Sequence, residues 1–413
     1  VTGRRRIGKT EIMKRAFGDG ADTFVYLLIT RQSEPTLCET LQSEVERQLG
    51  TPMLGKARSF AEILESLLRV AVTRPVTLVI DEFQEFVRVN PAVFGDVQRL
   101  WDAYHRSAKI NLVVCGSVTR LMKKVFFDKA EPLYGRNTGH LKVAAFPTLL
   151  LKEILASGKP GYTKKDLLAL WSITGGVARY VQLLMDDRAY TKEKMIASVF
   201  DKASPFVDEG RILLAEEFGG EHTTFFSVLS EISAGKTKFG ELSTSIGPDI
   251  GTYLSRLEQD YGIIRRQIPA FEHRGSHNSA YRIDDCFLRF WFRFVFKYGA
   301  WLEFGRRKDL ENLVLRDFDA FSGYALERYF VWKFATEGTF THVEGWWDRK
   351  GENEIDLVCE DEPAGKITFY EVKRSIDRYD AAQLAAKVEA FFKKNPQKRT
   401  LNVSMGCLSL DDM

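Results

Sequence analysis

The octapeptide Gly3-Arg4-Arg5-Arg6-Ile7-Gly8-Lys9-Thr10 constrains this chain more than any other stretch. It satisfies the pattern G-x-x-x-x-G-K-[ST], a loop built to cradle phosphate. Gly3 and Gly8 allow a turn tight enough to aim backbone N–H groups at phosphate oxygens. Lys9 is expected to place its ammonium against the β- and γ-phosphates of ATP, and the Thr10 hydroxyl to ligate Mg²⁺. The residues from Glu11 to Phe17 read as a helix whose positive end faces the same phosphates. Such a loop normally follows a buried strand, and here it begins at residue 3. A first strand and the adenine contacts ahead of it are therefore expected to be missing from this sequence.

Two further apolar runs read as parallel-sheet strands buried on both faces, residues 23–29 and Val76-Thr77-Leu78-Val79-Ile80. The second delivers Asp81-Glu82, an acidic pair at the carboxyl edge of a sheet. Asp81 is expected in the Mg²⁺ shell and Glu82 beside the attacking water. The plainer alternative is a strand that ends in a solvated acidic turn. A third buried run, residues 110–117, ends on Ser117, placed either to meet water or the γ-phosphate or merely to terminate the strand. Arg136, in the loop before the strand-like residues 142–146, could reach a γ-phosphate of its own subunit or of a neighbour, or could be a surface arginine.

These motifs together, GRRRIGKT, LVIDEFQEF, the Cys115-Gly116-Ser117 strand end and the Tyr134-Gly135-Arg136 loop, resemble the archaeal-type ATPases, a branch of the AAA-related P-loop ATPases. The resemblance covers about residues 1 to 215. It implies an ATP-binding, Mg²⁺-dependent ATPase that uses nucleotide state as a switch, with a helical lid. Related proteins often carry Gly-Gly-x-Pro before a lid helix; Gly175 and Gly176 are present here, but Ala178 stands at the proline position.

Residues 223–234, 238–245 and 251–261 read as three short helices, followed by a strand pair at 262–268 and 279–283. That order describes a winged helix-turn-helix. Arg256 on the third helix and Arg265, Arg266, His273 and Arg274 on the wing suit DNA contact, although many winged helices only join domains. Asp285 can cap a helix running to Tyr298, in which Arg289, Arg293 and Lys297 recur at i, i+4, i+8 as one basic stripe, either solvated or salt-bridged on a helix packed between domains or, alternatively, a nucleic-acid face. The charge-rich stretch from Glu303 to Glu311 reads as a linker.

The last hundred residues hold a second constellation. Asp356 lies in one strand, and Glu371 and Lys373 lie two apart on the next, so alternation brings both to one face with Val372 in the core. Two carboxylates and a lysine at a sheet end suit metal-dependent phosphodiester hydrolysis, with Asp356 and Glu371 on Mg²⁺ and Lys373 orienting water. The bland alternative is a surface hairpin with a salt bridge. The spacing resembles the restriction-endonuclease-like fold, which implies Glu327 as an extra helical acid and metal ligand and Gln383 as a supporting residue.

The expected architecture is α/β throughout: a P-loop core over residues 1–148, a helical lid over 149–218, and a winged helix with its basic-aromatic helix over 219–302. A linker at 303–316 and a nuclease-like domain at 317–413 complete it. With a net charge of +3, any basic surface for a DNA partner must be local. Five scattered cysteines with no C-x-x-C pair suit reduced thiols in a cytoplasmic protein. No apolar run reaches membrane-spanning length. A homo-oligomer is expected if Arg136 acts in trans.

Overall fold

A computed structural model describes the whole chain apart from residues 19, 21, 22, 118, 219–221 and 274. The chain divides into two compact units, Val1–Ala144 and Ala145–Met413. The first carries a parallel sheet in the order β1 (Thr23–Leu28), β2 (Val76–Asp81), β3 (Ile110–Val114). Thr2 extends that order with parallel bridges to Gly116 on one side and Lys142 on the other. The strand expected at 142–146 is thus reduced to one bridge at Lys142.

Burial differs among these strands for a topological reason. Central β2 is buried at all six positions, whereas β1 is fully buried only at Val25 and Leu27 and β3 is half-buried or exposed throughout. Val76, Leu78 and Ile80 pack on the helices Glu34–Leu49, Phe60–Thr73 and Val93–Tyr104, while Val79 packs on Met13 of the helix Lys9–Phe17. Alternate residues of one strand therefore feed two layers. The helix Phe60–Thr73 begins on Ser59, whose side chain accepts from the Glu62 amide.

The second unit opens with a run of helices, among them Lys164–Thr174 and Ala178–Asp186. Gly175 and Gly176 between them have φ of 57° and 75°, conformations that strain any other residue, and a Cβ on Gly176 would lie 2.6 Å from the Phe146 carbonyl oxygen. Ala178 opens the second of these helices, so the missing proline leaves the turn intact. Three helices follow, His222–Ser233, Phe239–Ile246 and Ile250–Ser255, the last running on as a wider π turn through Asp260. An antiparallel hairpin of β4 (Ile264–Gln267) and β5 (Ala280–Ile283) follows them.

The hairpin's loop does not project into solvent as an independent wing would. Ala270 is buried in the same core as Trp346, Ile355, Phe369 and Phe391, and its amide donates to the Gly345 carbonyl at 2.9 Å. Phe271 lies 4.7 Å from the His342 ring, with the Lys398 ammonium 4.2 Å from its centroid. His342, Gly345, Trp346, Ile355 and Phe369 belong to a four-stranded sheet, β6 (His342–Trp347), β7 (Glu354–Asp361), β8 (Lys366–Val372) and β9 (Asn402–Leu408), antiparallel except for the β8–β9 pair. The helix Ala381–Lys394 covers it through Leu384, Val388, Phe391 and Phe392.

The expected linker is corrected. Residues from Arg307 onward form the start of a 31-residue helix, Arg307–Glu337. Its charges pair at i, i+3 (Arg306–Asp309 at 2.8 Å, Lys308–Glu311 at 2.6 Å), and Leu310 and Val314 are buried, so the stretch is a solvated helix face and not a tether. The basic stripe also differs from expectation. Arg289 is withdrawn into the protein against Phe321 and Tyr324. The helix widens to a π turn over Trp291–Phe296, which breaks the i, i+4 register.

Phe391 contacts Trp346, Phe369 and Phe271 edge-on at the centre of the sheet-domain core. Phe391→Ala should cost roughly 3–5 kcal/mol of stability by loss of packing and cavity formation, read as a lower denaturation midpoint for the second unit.

Candidate functional site

Residues of the phosphate-binding loop take up the geometry their types permit. Arg6 and Gly8 have φ of 64° and 96°, so two left-handed residues wind the loop into the helix that starts at Lys9. Gly3 is needed for a different reason: a Cβ there would lie 2.7 Å from the Val143 carbonyl oxygen. The buried Lys9 ammonium donates to the carbonyls of Gly3 at 2.7 Å and Arg4 at 3.2 Å, spanning its own loop. Burial lowers the Lys9 pKa from its ordinary value, while the Glu82 and Asp81 carboxylates oppose that shift.

The edge of β2 brings the acidic pair to this loop. Asp81 Oδ2 accepts from the Thr10 hydroxyl at 2.9 Å and from the Tyr26 phenol at 2.6 Å. A hydroxyl and a carboxylate oxygen in contact are the hard ligands that Mg²⁺ takes, so Thr10 and Asp81 fit the ion. Glu82 follows with φ 54° and leaves the strand direction. Its Oε2 accepts from Ser117 at 2.8 Å and from Gln84, and Arg5 lies 3.9 Å away. Gly116 makes this possible, since a Cβ there would sit 2.4 Å from Gln84 Oε1. Tyr26 and Gln84 were not singled out by sequence; Gln84 lies two residues beyond Glu82, whereas Tyr26 comes from another strand.

Arg136 stands apart from this network. It binds Asp102 through two nitrogens, at 2.8 and 3.1 Å, and the Pro132 carbonyl at 3.0 Å, all within the first unit.

In the second unit the chain brings Asp356, Glu371 and Lys373 together. The β7–β8 register pairs Leu357 with Tyr370, so the next step sets Asp356 opposite Glu371. Val372, expected in the core, is half-buried, and Glu371 is the buried residue because it shares the face of Ile367 and Phe369 under the helix Ala381–Lys394. Lys373 pairs with Glu371 and lies 3.7 Å from Asp356. The second oxygen of Glu371 accepts from Lys387 at 2.6 Å. Lys387 lies one helical turn beyond Gln383, the supporting residue that the resemblance implied, which is exposed.

Burial works against the Glu371 charge, yet hydrogen bonds from Lys373 and Lys387 outweigh it and hold the pKa below its ordinary value. Asp356 moves the other way: burial raises its pKa, and the amide of Val372, donating at 2.7 Å, only partly compensates. Glu327, on the long helix, lines with Asp356 a cleft of about 180 Å³. Burial, reinforced by Asp356, pushes Glu327 up to about 8. Among the described residues no group of three or more His, Cys, Asp or Glu side chains is gathered closely enough to hold a metal ion.

The basic residues expected to face DNA are largely engaged within the chain. Arg265 pairs with Glu344 of β6, Arg266 donates to the Ser276 carbonyl at 2.6 Å, and Arg256 lies over the Phe225 ring. His273 is exposed, and Arg274 lies outside the described residues. No helix among the described residues is long and apolar enough to cross a membrane.

A phosphate loop at the edge of a parallel sheet, facing an acidic pair on the neighbouring strand's end, defines a P-loop ATPase. Residues 1–184 match the family described as an ATPase domain predominantly from Archaea, and residues 291–384 match one described as archaeal and bacterial proteins of unknown function. Over 384 residues it is 28% identical to the uncharacterized protein MJECL04 of Methanocaldococcus jannaschii, covering 90% of this chain and 82% of that one. Among solved structures it is similar to the Walker-type ATPase PABY2304 of Pyrococcus abyssi, with TM-score 0.51 and 16% identity over 71% of this chain and 89% of that chain. Cdc6p from Pyrobaculum aerophilum matches with TM-score 0.37 and 18% identity, over 72% and 86% respectively.

The raised Glu327 pKa has a stability consequence with a definite sign. Its folded value, about 8, lies above the ordinary 4.5, so its contribution is complete below pH 4.5 and is lost as pH rises through 8. Glu327→Gln should therefore flatten the fall in melting temperature across that interval and leave the variant more stable than the parent at its alkaline end. Parallel melting curves for the two proteins would show that Glu327 ionises normally.

Proposed function

We propose that this protein binds and hydrolyses ATP at the P-loop and uses nucleotide state to control an action of its second unit on DNA. The contact of Thr10 with Asp81, beside Glu82 and the Lys9 loop, is the observation that carries the ATPase half. Nucleotide phosphates would replace the Gly3 and Arg4 carbonyls as partners of Lys9. Mg²⁺, held through Thr10 and Asp81, would supply Lewis-acid charge to the phosphates. Glu82 acts as the base that orients water, with Ser117 and Gln84 fixing its carboxylate. A role for Arg136 in a neighbouring subunit of an oligomer requires its Asp102 pair to open.

Lys9→Ala should abolish ATP binding, because it removes the ammonium that the loop surrounds. Glu82→Gln should keep binding while slowing turnover by roughly 10²–10⁴, the usual worth of a positioned base. Equilibrium nucleotide binding and single-turnover hydrolysis separate the two effects, and parental turnover by Lys9→Ala would end this reading.

For the second unit, the convergence of Asp356, Glu371 and Lys373 at adjoining strand ends supports a nuclease-like site in a domain that follows a winged helix. A divalent ion would take Asp356 and Glu371 as oxygen ligands. A second reading, a regulatory switch whose C-terminal domain binds DNA or a protein without cutting, is favoured by Lys387. With Lys373 it balances the two carboxylates, charge for charge, without any metal. The engaged hairpin arginines favour it too, since they join the winged helix to the sheet domain.

The two readings part in one assay. A nuclease should cleave DNA with Mg²⁺ or Mn²⁺, and Asp356→Asn should remove cleavage while DNA binding persists. A switch should show no cleavage with either ion and a DNA affinity that falls steeply with salt.

A further inference from the structure

Within the second unit, strand β5, the segment after it, the end of the helix His222–Ser233 and the long helix line an open cavity of about 270 Å³. Arg282 of β5 lines it together with Arg289 and Arg293 of the following helical segment, Thr237, Phe321 and Tyr324. No ion pair is made by any of these three arginines among the described residues. Arg282 donates through Nε to the Gln267 side-chain oxygen at 3.0 Å, and Arg289 to the Phe321 carbonyl at 2.9 Å. Otherwise they rest on ring faces: Arg282 4.9 Å from the Tyr324 centroid, Arg289 4.3 Å from that of Phe321, and Arg293 5.4 Å from that of Phe294.

Nearby carboxyl groups do not neutralise them. Asp284 is paired with Arg328 at 3.2 Å and Asp317 with Arg316 at 2.7 Å. Glu327, whose charge is felt by Arg289, lines the adjoining cleft and not this cavity. Burial disfavours the Arg289 charge, and the Arg282 cation adds to that penalty. Alongside these cations the Tyr324 hydroxyl is buried with no hydrogen-bond partner. Buried polar groups are almost always partnered, so an orphaned hydroxyl beside three unneutralised guanidinium groups points to an absent acceptor that carries negative charge.

We propose that this cavity binds a phosphate group. Guanidinium forks match the oxygens of a tetrahedral oxyanion, and such charge-assisted bonds are the strong ones. A water molecule occupies about 30 Å³, so the cavity admits one hydrated phosphate. Arg282, Thr237 and Tyr324 also line the cleft that holds Asp356, so the two spaces adjoin. The phosphate comes either from a nucleic-acid backbone or from a free phosphomonoester. The proposal depends on neither nucleotide hydrolysis nor DNA cleavage.

The test uses the full chain carrying Lys9→Ala, so that the P-loop does not compete for the probe. Inorganic phosphate is titrated at constant ionic strength against chloride, with calorimetry and melting temperature as readouts. Saturable, phosphate-specific stabilisation is expected, weakened by about tenfold or more in Arg293→Gln and Arg282→Gln, the size of one lost charge-assisted bond. Arg293 is half-exposed, so its substitution should leave the circular dichroism unchanged, and Arg293→Lys should bind with intermediate affinity. Competition by a single-stranded oligonucleotide would identify the backbone as the source; competition by a phosphomonoester alone would identify a free ligand. No phosphate-specific stabilisation, or equal affinity in parent, Arg293→Gln and Arg282→Gln, would overturn the site.

Discussion

Strand β2 is buried on both faces from Val76 to Asp81, and the first unit depends on that fact. A strand with no solvated face can carry charge only at its end, where its hydrogen-bonding row stops and the neighbouring loops open. Asp81 and Glu82 stand at that end. Asp81 is stabilised there by the Thr10 and Tyr26 hydroxyls, and Glu82 by Ser117 and Gln84. The same strand thus sets the hydrophobic layers and delivers the acidic pair to the phosphate loop. An unpaired buried carboxylate would cost several kcal/mol, so these hydrogen bonds are a condition of the fold as much as of the chemistry.

The second unit is organised by an insertion. Ala270 and Phe271, at the loop of the β4–β5 hairpin, complete the hydrophobic core of the four-stranded sheet. A hairpin anchored by its tip cannot also place that tip in a DNA groove, and its arginines follow suit: Arg265 reaches Glu344, and Arg266 ties down the hairpin's own loop. Arg282, directly across the hairpin from Arg265, lines both the carboxylate cleft and the arginine-lined cavity. The helical module and the sheet domain therefore share one core and one set of cavities.

Around Asp356 the charges nearly cancel. Two lysines face two carboxylates, and Glu327 is driven toward its neutral form by burial and by Asp356. Such a cluster is stable without a cation, yet it keeps hard oxygen ligands at a cleft, so geometry alone allows both a cutting and a binding role.

Much of the first unit was legible in the sequence because its signals are local. The Gly-Lys-Thr loop and the apolar run before Asp81-Glu82 each state a backbone requirement within a few residues, as do the paired glycines at 175–176 of the second unit. Strand alternation likewise placed Glu371 and Lys373 together, and the register then set Asp356 across from them. What periodicity could not decide was which side of each element another would cover. The linker read from Glu303 to Glu311 is helical from Arg307 onward because Leu310 and Val314 find a core. Arg289 left its expected solvated stripe because Phe321 and Tyr324 lie on that side. Tyr26 at Asp81 and Lys387 at Glu371 arrive from elements distant in the chain. The sequence by itself determined the phosphate loop, the acidic strand ends and the order of elements, since bond geometry and hydrophobic pattern act over short range. Only the tertiary structure decided which cations meet which carboxylates and which arginines are left without one, because burial and pairing depend on residues that chain order does not bring together.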